Sequence, residues 1–199
     1  KSLGTIVDPL AAASKFGPDP LRLFLVREFA YGQDGDFSWE RFEERYNSDL
    51  ANNLGNLVSR IATMADKYCG GRLPVPAAPA GRLADVASAA VTAYRASMDR
   101  FALQDGMAAA FSVIDAANTF IAETEPWKLA KEEANASRVA QILYEVAEAL
   151  RIAAILLLPA MPACMYQRPI QILIFYLNIF KVRIGKFRHH LDKGKRGLS

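Results

Sequence analysis

The sequence predicts an all-α fold, an antiparallel helix bundle preceded by a short linking segment, and three features carry that expectation. Alanine dominates residues 83–163 while β-branched residues are thinly spread there, a composition that favours helix. Leu50, Leu54, Leu57 and Ile61 stand at helical spacing and make one apolar stripe. Several long helical patterns are joined by short connections, which forces neighbouring helices to run antiparallel.

Taken in order, residues 1–18 read as a loop-like lead punctuated by Gly4, Asp8-Pro9 and Gly17-Pro18. Asp19-Pro20-Leu21 then opens a helix, with Asp19 as N-cap and Pro20 in the first helical position, running to about Phe29. A turn follows from Gly32 to Asp36. Ser38 caps a long helix that runs to about Tyr68 and stops at Gly70-Gly71. Leu73 to Gly81 is a Pro/Ala linker. Helices are expected over roughly 82–101 and 104–122, a short one from Thr124-Glu125-Pro126, and a last one from Ala136 to Leu158, stopped by Pro159 and Pro162.

Beyond Met165 the composition changes. Residues 167–199 contain no alanine, and Ile, Phe, Tyr, Asn and Lys replace it. The apolar run from Ile170 to Phe180 is shorter than the ~20 residues a membrane span needs. This tail reads as foreign to the fold, a frameshifted or fused end, with a basic extension as the alternative. It also holds the positive charge: eight basic residues against Asp192 give +7, leaving −4 on residues 1–166 out of a net +3. The main body therefore has no electrostatic claim on nucleic acid, and any RNA recognition there must come from particular side chains. Cys69 and Cys164 are far apart, which gives neither a disulfide framework nor a zinc site, and two free thiols fit a reducing compartment. His189 and His190, adjacent among lysines and without carboxylates, make a poor metal site. Glu43, Glu44, Asp49, Asp99 and Asp105 look like solvated helix residues.

Two features on the helices have the chemistry of base recognition. Asn52, Asn56 and Arg60 recur every four residues, off the apolar stripe, and form a donor and acceptor row able to read the edges of unstacked bases. The plain alternative is a solvated helix face. Trp127 follows Glu125-Pro126 and so lies in the first turn of its helix, where an indole offers a stacking platform for an unpaired base. The alternative is a tryptophan packed between two helices.

The order of motifs decides between these alternatives. Lys1-Ser2-Leu3-Gly4-Thr5-Ile6-Val7-Asp8-Pro9 resembles the end of the Lys-Met-Ser-Lys-Ser signature of class I aminoacyl-tRNA synthetases and the stretch after it. Gly17-x-Asp19-x-Leu21-Arg22, Leu25-x-Arg27-Glu28 and Gly32-x-Asp34-Gly35-Asp36-Phe37-Ser38 continue the resemblance to the methionyl-tRNA synthetase branch. The densest match runs from Arg45-Tyr46-Asn47-Ser48-Asp49-Leu50 through Ala51-Asn52-Asn53-Leu54-Gly55-Asn56 to Leu57-Val58-Ser59-Arg60, and Glu125-Pro126-Trp127-Lys128-Leu129-Ala130-Lys131 matches again downstream. The likeness covers about residues 1–163.

That resemblance implies three segments. Residues 1–35 would be a remnant of the catalytic-domain signature loop with a linking helix, 36–163 the anticodon-binding bundle, and 164–199 the divergent basic tail. It implies recognition of the CAU anticodon of methionine tRNA by Asn56, Arg60 and Trp127, the tryptophan stacking on the wobble cytosine, with Arg45 and Asn47 serving structure. Lys1 would be the leftover signature lysine, inactive here, because the His-Ile-Gly-His-type signature and the methionine pocket are absent from the sequence. ATP and Mg belong to the intact family enzyme, so no cofactor and no metal are expected in this chain. The expected partners are methionine tRNA and the missing catalytic domain, with no membrane, in the cytoplasm or an organellar matrix. Rival readings are the anticodon domain of another class I synthetase, of the leucine, valine or cysteine branch, and a non-enzymatic helical scaffold. Separated from a catalytic domain, Leu21, Leu23, Phe24, Leu25 and Phe29 would include apolar groups left exposed.

Overall fold

In the computed structural model the described residues are 8–32, 35, 37–73 and 81–166. Among them all regular structure is helical, joined by short turns. The elements are α1 (Pro9–Phe16), α2 (Pro18–Glu28), α3 (Trp39–Arg45), a π-helix (Tyr46–Gly55), α4 (Asn56–Cys69), α5 (Arg82–Asp99), α6 (Leu103–Thr124), α7 (Pro126–Leu129), a 3-10 turn (Glu133–Asn135), α8 (Ala136–Leu157) and α9 (Pro162–Tyr166).

The main core lies between α4, α5, α6 and α8. It is filled by Leu57, Ile61, Met107, Phe111, Ile114, Ile121, Ile142, Leu143 and Leu157, with small residues such as Ala87, Ala110, Ala117, Ala147 and Ala153 between them. Alanines at the contact faces let helix axes approach closely, which is the structural use of the alanine-rich composition. The tight turn between α5 and α6 makes that pair antiparallel. Ser38 caps α3 as the sequence suggests, its Oγ accepting from the Arg41 N–H at 3.1 Å. Gly70, with φ at 58°, ends α4 in the left-handed conformation that favours glycine.

The lead segment departs from expectation. Residues 9–16 form a helix because Asp8 is an N-cap, its carboxylate accepting from Leu10 N at 2.9 Å, with Pro9 in the first helical position. The Asp-Pro pair that reads as a turn in isolation is a helix start. Likewise α2 begins at Pro18 after Gly17, so Asp19 is not its cap. Asp19 is buried, and its carboxylate instead accepts from the Cys164 N–H of α9 at 2.6 Å. Arg22 donates to the Pro159 carbonyl at 2.9 Å. These two side chains of α2 thus hold the corner where α8 gives way to α9. Pro162, expected to stop a helix, opens this one.

The first two helices also have a core of their own. Ala12, Leu21, Phe24 and Phe42 are buried together, with Phe16, Phe29, Phe37 and Trp39 packed around them. Phe42 is edge-on to Phe16 at 5.0 Å between centroids, and the tilted Phe24 ring lies 5.1 Å away. Of the five apolar residues expected to include exposed groups, Leu25 is exposed, Leu21, Leu23 and Phe24 are buried and Phe29 is half-buried. The reason is that α3 supplies Phe42 as a partner, so α2 has a packing surface within this chain.

The long helix from Ser38 is continuous but not uniform. Over Tyr46–Gly55 it is wound as a π-helix, and the Asn56 N–H donates to the Ala51 carbonyl five residues back. Phe42, Tyr46, Leu50 and Leu54 explain the wider turn: they are spaced strictly by four, and an α-helix would rotate such a series off its face by ~40° per step. Winding at more than 3.6 residues per turn keeps all four toward the interior. From Leu54 onward the spacing is mixed threes and fours and the helix returns to α.

Gly55 marks the junction. Its backbone is ordinary helix, φ −63° and ψ −46°, where alanine is normally favoured over glycine by about 1 kcal/mol. A Cβ there would lie 2.9 Å from the Leu50 carbonyl oxygen, which the wide turn brings beneath it. Gly55→Ala is therefore expected to lower stability by about 1 kcal/mol, against the usual sign for a helical glycine. The midpoint of urea unfolding checks this, and a raised midpoint would mean that the wide turn gives way freely.

Candidate nucleic-acid interface

Asn56 is the first residue of α4, and Arg60 lies one turn further on. Both are exposed, while Leu57, Val58 and Ile61 between and beside them are buried. The α-helical winding restored at Asn56 makes that one-turn relation hold. Asn52, also exposed, lies in the π-helix and continues the row.

Trp127 reaches the same place from far along the chain. Helix α6 ends at Thr124, and Glu125 takes a left-handed conformation, φ 43° and ψ 55°, unusual for a non-glycine residue. Its N–H donates to the Ile121 carbonyl at 3.0 Å, closing α6, and its own carbonyl accepts from Lys128 N at 2.8 Å, opening α7. Pro126 is buried and fixes the backbone, while Leu129 and Ala130 pack on the main core. The turn is anchored on its inner side, and Trp127 stands on its outer side, 36% exposed. Lys128 and Glu125 are paired at 2.8 Å in solvent beside it.

The Arg60 guanidinium lies 5.8 Å from the Trp127 ring centroid, within cation–π range. Two residues singled out separately in the sequence are therefore neighbours, and Asn56 adjoins them one turn up α4. The result is a flat aromatic face beside a guanidinium and an amide, a stacking surface next to donors and acceptors for a base edge. Lys1 lies outside the described residues, as do His189 and His190.

Sequence reasoning missed what supports this row. Asn53 Nδ2 donates to Asp115 Oδ1 at 2.6 Å, and Asn118 Nδ2 donates to Asn53 Oδ1 at 2.7 Å. The π-helix is thereby clamped to α6. A signal existed: two adjacent asparagines inside a helix are poor helix formers and favour side-chain hydrogen bonds that compete with the ladder. Asp49, expected to be solvated, is instead mostly buried, with Oδ2 lying 2.9 Å from Arg27 Nη1. Arg45 has the expected structural use, its Nε donating to Glu28 at 3.1 Å, and Arg41 pairs with the same carboxylate. Neither thiol is set up as a nucleophile. Partial burial raises the Cys69 pKa, and partial burial with the nearby Asp19 carboxylate pushes Cys164 up to about 11. Among the described residues no helix is long and apolar enough to cross a membrane.

The class of this helical chain is that of the class I aminoacyl-tRNA synthetases: the family model for tRNA synthetases class I (M) matches residues 1–62, a stretch that includes Asn56 and Arg60. The chain is 44% identical to the methionine–tRNA ligase of Streptomyces coelicolor over 169 residues, 81% of this chain and 31% of that protein. It is 41% identical to that of Caldanaerobacter subterraneus over 165 residues, 81% of this chain and 26% of that protein. Among solved structures, Mycobacterium tuberculosis methionyl-tRNA synthetase bound by methionyl-adenylate superposes with a TM-score of 0.77 at 35% identity, covering 90% of this chain and 38% of that one. Over the matched stretch the chain belongs to the methionyl-tRNA synthetase family. It spans about a third or less of the length of the curated relatives it matches.

Proposed function

We propose that this chain recognises the CAU anticodon of methionine tRNA, as part of a ligase that attaches methionine to that tRNA with ATP in protein synthesis. The observation that carries the reading is the convergence of Arg60 on Trp127, 5.8 Å from guanidinium to ring centroid, with Asn56 one turn away on the same exposed surface. Splayed single-stranded bases are read by stacking on an aromatic face and by hydrogen bonds to their exposed edges. Trp127 takes the wobble cytosine against its open face. Asn56 both donates and accepts through its amide, and Arg60 donates only, so together they can bond base edges that present acceptors or a mixed pattern. The partner is methionine tRNA, met in the cytoplasm or in an organellar matrix.

No step with ATP or Mg is assigned to this chain.

The test is binding of the chain to initiator tRNA bearing CAU, beside the same tRNA with one anticodon base changed, at fixed moderate salt. Salt matters because the +7 tail attracts any RNA, an attraction that weakens steeply as salt rises. A preference for CAU that persists as salt is raised supports the reading. Equal and strongly salt-dependent binding to both would leave the tail as the only RNA contact and the bundle as a scaffold.

A further inference from the structure

We propose that Asn53 is a positioning residue for anticodon recognition: clamped between Asp115 and Asn118 of α6, it fixes the wide turn from which Asn56 and Arg60 project toward Trp127. The proposal rests on the anticodon-reading function argued above.

Three observations lead to it. First, both halves of the array hang on α6. Asp115 and Asn118 hold Asn53 at 2.6 and 2.7 Å, and the same helix ends at Thr124, one residue before the turn that presents Trp127. From Asn118 to Glu125 is seven residues, about 10 Å along a helix axis. This helix therefore sets the distance between the amide and guanidinium on one side and the indole on the other.

Second, the π-helix determines which way the row points. The Asn56 N–H donates to Ala51, five residues back, where α-winding would use Asn52. Each residue accommodated by wide winding rotates the downstream helix by ~100° relative to a straight α-helix. If the wide turn tightened to α, Asn56 and Arg60 would rotate away from Trp127, or the apolar stripe would leave the core.

Third, the clamp is specific in its chemistry. The Asn53 amide group donates to a carboxylate, and its carbonyl oxygen accepts from an amide. Asn118 adds a longer contact to the Asn53 backbone carbonyl at 3.4 Å and one to its own Ile114 carbonyl at 3.3 Å. No residue other than asparagine satisfies both neighbours with the same short reach. Asn53 is half-buried and lies off the exposed row, so it acts on the anticodon only through Asn56 and Arg60.

The test uses the full chain and the same two tRNAs, below the unfolding temperature of every variant. Asn53→Asp sets a carboxylate against Asp115 and should reduce the preference for CAU about tenfold, the equivalent of one hydrogen bond to a base edge. Combining it with Asp115→Asn exchanges donor and acceptor: the introduced carboxylate accepts from the introduced amide and from Asn118. That double variant should recover the preference, whereas Asp115→Asn alone serves as its control. Undiminished preference in Asn53→Asp overturns the proposal, and so does a loss that the exchange fails to restore. Trp127→Ala, measured alongside, separates the two levels of argument. If it keeps the CAU preference, the anticodon reading itself fails. If it loses the preference while Asn53→Asp keeps it, the reading stands and the positioning role fails.

Discussion

Trp127→Ala is expected to abolish the preference for a CAU anticodon while leaving the fold standing. Stacking of a base on an aromatic side chain is worth ~1–3 kcal/mol, so the truncation should weaken binding of the CAU tRNA by roughly ten- to a hundredfold. Every base has a face that can stack, so selectivity arises where Asn56 and Arg60 meet the edge of the stacked base. An altered wobble base lacks that match and is held less firmly on the indole, so its tRNA should lose less binding. The loss should appear mainly as faster dissociation. Stability should fall by about 1–3 kcal/mol, since Trp127 is 36% exposed and the truncation removes both the covered part of its ring and the cation–π contact with the Arg60 guanidinium. Trp127→Phe keeps an aromatic face and should retain part of the preference. Titrations with both tRNAs, and thermal unfolding of each variant by circular dichroism, check this. A variant that still selects CAU would remove Trp127 from the recognition surface.

The sequence carried the array's residues but not their assembly. Asn56 and Arg60 were legible as a pair because one helical turn separates them, and Trp127 because Pro126 marks a helix start. That Arg60 faces Trp127 was not legible, since 67 positions separate them and the whole of α6 intervenes. The fold was readable wherever one local signal dominated, as in Ser38, Gly70 and the alanine-rich helices. It was misread where one residue serves two ends of the chain. Asp19 has the form of an N-cap for its own helix, but it is used by α9, and local pattern cannot reveal a partner 145 residues away. The π-helix is a different case. The strict spacing of Phe42, Tyr46, Leu50 and Leu54 was present in the sequence and fits a period of four better than 3.6, so the wide winding had a local signature.

Asp49 was misread for the reason that hid Asp19, and it supports the second large effect expected here. Its partner Arg27 projects from α2, with the guanidinium 3.9 Å from the Phe111 ring centroid on α6. Arg27 Nη1 is buried and lies 2.9 Å from the Asp49 carboxylate, yet makes no aligned hydrogen bond there, so the pair is held by charge more than by direction. Burial lowers the Arg27 pKa and is the leading influence on it, with the attraction of Asp49 acting in the opposite sense. Asp49→Ala removes the largest attraction and leaves the desolvation opposed only by the weaker pulls of Asp115 and Glu28. Breaking a buried pair by removing one partner costs ~3–5 kcal/mol, and the partial exposure of both side chains brings the expectation to about 2–3 kcal/mol. For a chain of this size that is a fall in Tm of roughly 5–10 °C. Adding Arg27→Met should recover most of it, because the thioether covers the Phe111 ring and no charge remains unpaired. Thermal unfolding of the single and double variants at neutral pH decides the matter. A double variant no more stable than Asp49→Ala would show that the penalty lies in the π-helix, where Asp49 resides, and not in the orphaned guanidinium.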